Sequence, residues 1–163
     1  MLNKKKVALL GAMAAAAMAS TGAQAATVTA NAEVDIIAAV QLTQNDPLDF
    51  GIVAPGAAAG TVELPPATGT RNCSPGLSCV GTTTRGRFTV NGAIGQNVAI
   101  TVPSSVTLLS SGNSMVVSLL SSATTISMTT ASQQFFVGGT LAVNAGQPAG
   151  AYAATYPVTA EYQ

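Results

Sequence analysis

The residues with types and spacings suited to chemistry are two cysteines, a few close carboxylates and three arginines, in a chain that has no histidine. Nucleophilic catalysis by serine needs a base. Lysine occurs only at Lys4, Lys5 and Lys6, so none stands near a serine of the main sequence. Asp46 and Asp49 flank Pro47-Leu48, and Glu33 and Asp35 share one strand face. Such pairs could act as acid and base on a sugar, or with Asn45 could hold calcium through oxygen ligands. The simpler reading has Asp46 making a turn and the other carboxylates solvated. The glycine-rich run Gly56-Ala57-Ala58-Ala59-Gly60 lacks the lysine of a phosphate-binding loop. Arg85 and Arg87 could meet an acidic ligand, although a solvated strand face accounts for them as well. The expectation is a protein that is not an enzyme and needs neither metal nor cofactor.

Cys73 and Cys79 enclose Ser74-Pro75-Gly76-Leu77-Ser78, a loop with a Pro-Gly turn at its middle. In an oxidising compartment two cysteines around such a turn should pair. Closing so short a loop contributes on the order of 2 kcal/mol, which makes the bond a local staple. A metal site needs three or four ligands, and the spacing is not that of a C-x-x-C redox pair.

The first residues explain the compartment. Met1–Ala25 has a basic start at Lys4–Lys6, an apolar run from Val7 to Ala19 and a small-x-small end at Ala23-Gln24-Ala25. These are the parts of a secretory signal peptide. The competing reading, a membrane anchor, asks for about 20 apolar residues, and this run is shorter. Export would leave Ala26 at the mature N-terminus, with no later membrane span. Without the leader, three arginines face six acids, a net charge of −3. Such a chain cannot build the basic face that nucleic-acid affinity needs. The whole sequence is 48% hydrophobic and 7% charged, the wrong balance for disorder.

What must position these residues is β-structure. From Ala26 to Leu42 every even position is apolar, with polar residues at most odd ones, which is the period of a strand with one buried face. Those residues would reach roughly 55 Å, against about 20 Å for an ordinary strand. Either the segment bends between sheets, or its first part buries its face outside its own domain. Short β-type runs follow at Leu48–Val53, Thr61–Leu64, Arg87–Asn91, Asn97–Val102, Val106–Leu109, Met115–Leu120, Thr125–Met128, Phe135–Val143 and Ala151–Tyr162. Turn residues such as Pro55-Gly56, Asn91-Gly92 and Gly112-Asn113 separate them. The pattern predicts an all-β fold, an antiparallel Greek-key sandwich. In the last run Tyr152, Ala154, Tyr156, Val158, Ala160 and Tyr162 share a face, and Pro157 requires an open edge.

Gly150 stands fourteenth from the end and Tyr162 is penultimate, with alternating apolar residues between; this resembles the C-terminal motif of chaperone-usher pilins. Leu48-Asp49-Phe50-Gly51-Ile52-Val53, Arg87-Phe88-Thr89-Val90-Asn91-Gly92, Ile100-Thr101-Val102-Pro103, Phe136-Val137-Gly138-Gly139-Thr140-Leu141 and Gly146-Gln147-Pro148-Ala149-Gly150-Ala151-Tyr152 resemble a widespread bacterial domain family similar to common-pilus fimbrillins and archaic chaperone-usher pilins. The resemblance implies an incomplete immunoglobulin-like sandwich of a fimbrial subunit. Its C-terminal strand, Gly150 to Tyr162, would line a groove covered first by a periplasmic chaperone and then, at the outer-membrane usher, by the N-terminal strand of the next subunit. The chain departs from many classical pilins in that its cysteines enclose a small loop, and in its short, Ala-rich N-terminal extension.

The expected organisation is a signal peptide at 1–25, a donor strand at 26–33 carrying Val28, Ala30 and Ala32, and one sandwich domain at 34–163. The expected function is that of a surface-fibre subunit supporting adhesion or biofilm formation, with copies of itself as partners. The alternative is a self-complete secreted sandwich that binds a glycan or matrix as a monomer.

Overall fold

The computed structural model describes residues 24–163, so most of the signal segment lies outside the described residues. The chain divides after Asp35. Of the first unit, residues 24–35 are exposed and belong to no strand. The second, Ile36–Gln163, holds every described strand and is all-β.

Twelve strands follow in order: β1 Gln41–Asp46, β2 Ile52–Ala54, β3 Gly60–Leu64, β4 Asn72–Cys73, β5 Ser78–Val80, β6 Gly86–Asn91, β7 Asn97–Thr101, β8 Ser105–Ser110, β9 Asn113–Ser121, β10 Thr125–Ser127, β11 Ser132–Val143 and β12 Thr159–Tyr162. All pairings are antiparallel. A seven-stranded sheet runs β1-β6-β11-β3-β4, with β9 on β11 and β8 on β9; a second sheet is β10-β7-β12, and β2 pairs with β5 by itself.

The longest strand organises the rest. β11 pairs with β6 through Ser132–Val137, with β9 through Val137–Leu141 and with β3 through Gly139–Val143. Three neighbours therefore converge near Gly138 and Gly139. A Cβ at Gly138 would collide with the Leu64 carbonyl oxygen, and one at Gly139 with that of Ser118. Only glycine allows so close an approach.

Alternation places the core as the sequence pattern predicts. Phe88 and Val90 of β6, Met115, Val117 and Leu119 of β9, Val98 and Ile100 of β7, and Phe135, Val137, Leu141 and Val143 of β11 are buried in one cluster. Phe88 and Phe135 are cross-strand partners with ring centroids 5.2 Å apart. Between β8 and β9 the two-residue turn Ser111-Gly112 has positive φ at both positions, 46° and 85°, the geometry that matches hairpin twist.

Three expected strands are shorter than their patterns. The alternation from Ala26 forms a ladder only from Gln41, the run at Leu48 only from Ile52, and the run at Ala151 only from Thr159. In the last two the unladdered part is paired at a single position, Asp49 with Thr84 and Ala153 with Leu109. β4 and β5, by contrast, arise where the cysteine loop brings two short arms against β3 and β2.

Candidate functional site

Two of these stretches, at Leu48 and at Ala151, lie on either side of an open apolar groove. Its cavity of about 720 Å³ is floored by Val106 and Leu108 of β8, Met115 and Val117 of β9, and Leu141 and Val143 of β11. One wall is formed by residues 47–55 and the other by residues 147–156. The floor is the inward face of three strands whose alternation turns these side chains to one side.

The backbone of both walls is short of partners. In the first, β2 bonds only to β5, and before it Asp49 and Thr84 exchange N–H···O bonds of 2.7 and 3.0 Å. In the second, among the described residues, Ala153 is the backbone position between Gly150 and Val158 that is paired, exchanging bonds of 3.1 and 3.2 Å with Leu109. The groove thus combines apolar alternation in its walls, an apolar floor and wall backbone that is only partly paired.

The predicted groove residues divide between this slot and the core beside it. Gly150, Tyr152, Ala154 and Tyr156 line the cavity. Val158, Ala160 and Tyr162 instead pack half-buried on the core, the last two within β12, paired to β7. The Tyr162 hydroxyl donates to the Ala38 carbonyl at 2.8 Å and accepts from the Ala93 N–H at 2.7 Å, a structural tie. A Cβ on Gly150 would meet the Ser110 hydroxyl, which would have to turn aside to admit it.

Polar groups in the lining are mostly satisfied. Buried Gln147 donates to the Ser114 carbonyl at 3.2 Å and to the Tyr152 hydroxyl at 2.9 Å, and accepts from Asn144 at 3.1 Å. Tyr152 in turn donates to the Pro148 carbonyl at 2.8 Å, which fixes its ring in the second wall. The Tyr156 hydroxyl is buried without a partner, and burial raises its pKa above the ordinary 10.0.

The predicted donor residues Val28, Ala30 and Ala32 are exposed, Val28 by 89%. The alternation continues through Val34 and Ile36, also exposed. Cys73 and Cys79 form a disulfide. Among the described residues no cluster of metal-ligating side chains occurs. Asp46 accepts from Arg87 Nε at 2.6 Å, Asp49 caps the Gly51 N–H at 2.8 Å and Asn45 accepts from Thr89 at 2.6 Å. The Arg85 guanidinium lies 3.6 Å over the Phe136 ring. No described helix is long and apolar enough to cross a membrane.

Of the two stretches that line the cavity, the sequence reading singled out the second, through Gly150 and Tyr152, and read the first only as a strand at Leu48–Val53. Its signal was Pro47 and Pro55 bracketing a short apolar run with Gly51 inside it. No curated protein and no solved structure matches the chain. Residues 40–162, a span that includes both walls and the floor, match the family described as "Domain of unknown function (DUF4402)", and the chain belongs to that family.

Proposed function

We propose that this protein is an exported structural subunit of a surface fibre, an incomplete immunoglobulin-like Greek-key sandwich completed by a strand from a neighbouring copy. The observation that carries the reading is the apolar groove between two walls whose backbone is only partly paired. A strand laid in it gains main-chain bonds from both walls, while alternate side chains cover the floor. Burying apolar area there contributes roughly 25 cal/mol per Å², and insertion also covers an edge that would otherwise promote aggregation.

The donor is the N-terminal segment Ala26–Glu33, with Val28, Ala30 and Ala32 facing the floor. During export a periplasmic chaperone covers the same groove, and an outer-membrane usher exchanges that cover for the next subunit. The resulting fibre serves adhesion or biofilm formation. The Cys73–Cys79 bond supports an oxidising compartment.

Deleting Ala26–Asn31 tests the reading. The shortened subunit is expected to fold and reach the periplasm but to form no fibres, read by electron microscopy and by sedimentation of the surface fraction. Fibres from the truncated chain would reject strand donation, and a stable monomer from the full chain with chaperone and usher present would favour the monomeric binding module.

A further inference from the structure

The first groove wall has no place in the seven-stranded sheet, yet it must hold one side of a slot open to a strand. Its only ladder partner is β5, through Ile52↔Val80, Val53↔Cys79 and Ala54↔Ser78. The outer face of this two-stranded unit has little packed on it, since Ile52 and Val80 are 66% and 53% exposed. Its inner side packs on the core through Phe50, Val53 and Cys79, so packing holds the unit from that side alone.

Two side-chain links join it to the main sheet. Cys73 lies in β4, opposite Val62 of β3, and its disulfide partner Cys79 lies in β5. Arg71, just ahead of β4, donates from one guanidinium nitrogen to the Phe50 carbonyl at 3.1 Å and to the Val80 carbonyl at 2.9 Å. It thus ties the chain just ahead of β2 to the end of β5. Gly51, with φ of 75°, makes this grip sterically feasible, because a Cβ there would crowd the same guanidinium nitrogen at 2.6 Å and the Thr82 carbonyl at 2.8 Å.

We infer that the Cys73–Cys79 bond and Arg71 are positioning residues for the groove: they clamp the wall Phe50–Ala54 to the sheet edge at β4 and keep the slot at strand width. A wall in place for only a fraction of the time lowers apparent affinity for an inserted strand by that fraction. The affinity consequence rests on the strand-acceptor reading above; the clamping itself does not.

The test is hydrogen exchange of the full oxidised chain, comparing amides of Phe50–Ala54 with those of Phe135–Val143. The variants are Cys73→Ser/Cys79→Ser and Arg71→Met; the second keeps the disulfide and decides the matter if the first fails to fold. The expected result is exchange at least about tenfold faster in the wall, with β11 unchanged, and affinity for a fluorescent peptide of residues 26–39 falling only as far as the in-place fraction of the wall falls. Wall exchange equal to the wild type in both variants, or rising in step with β11, would overturn the clamp. Failure of the wild-type protein to bind the peptide would count against the strand-acceptor reading, and the exchange data would still decide the clamp.

Discussion

Tyr156 carries a hydroxyl that is buried in the groove wall with no hydrogen-bond partner, close to where a side chain at Gly86 would stand. An unmet buried hydroxyl is a cost that phenylalanine does not carry. Tyr156→Phe should therefore leave stability equal or raise it by about 1 kcal/mol, measured by urea unfolding at neutral pH. Burial raises the phenol pKa above 10.0, so its contribution is complete below pH 10 and is lost as pH climbs through the raised folded value. The phenylalanine variant should lose less stability above pH 10 than the wild type. Phe135 is buried and stacked on Phe88; Phe135→Ala should cost about 3–5 kcal/mol. The Arg87–Asp46 pair has side chains 39% and 42% exposed, so Asp46→Asn should cost no more than about 1 kcal/mol. A result that reversed this order would contradict the core assignment.

Among the elements, the second wall rests against β8 at the contact of Gly150 with Ser110. Gly150→Ala should push that wall away and destabilise the protein by about 1–3 kcal/mol. Ser110→Gly in the same chain should restore part of the loss, because it removes the opposing hydroxyl; two changes that simply added would disprove this contact. Strands such as β6 and β9 were legible because an alternating run with a buried face reports its own geometry. The disulfide was legible because both cysteines sit in one short loop. The first wall was not, since its three-residue ladder is made with β5, more than twenty residues further on, and so short a pairing leaves no period in either strand. The alternation at Ala26–Val40 shows the limit of periodicity: it identifies an apolar face and not what covers that face. The same limit explains why Val158, Ala160 and Tyr162, equal to Tyr152 and Tyr156 in pattern and like them packed against the core, do not line the groove.

At the scale of the molecule, an exposed alternating segment and an apolar strand-shaped slot occur in one chain. A contact that joins one copy's segment to another copy's slot is head-to-tail, and unless its rotation closes on itself it propagates into a filament. In the proposed fibre the small side chains of Ala30 and Ala32 would fill the slot shallowly, so affinity should depend most on Val28 and, if the insert runs further, on Val34 and Ile36. The most direct measurement of strand donation places a photoreactive residue at Ala30 and mixes isotopically light and heavy subunits before assembly. The account predicts cross-links between copies, light to heavy, that map to residues 47–55 or 147–156. Cross-links confined within one copy, or between copies but falling elsewhere on the surface, would contradict it.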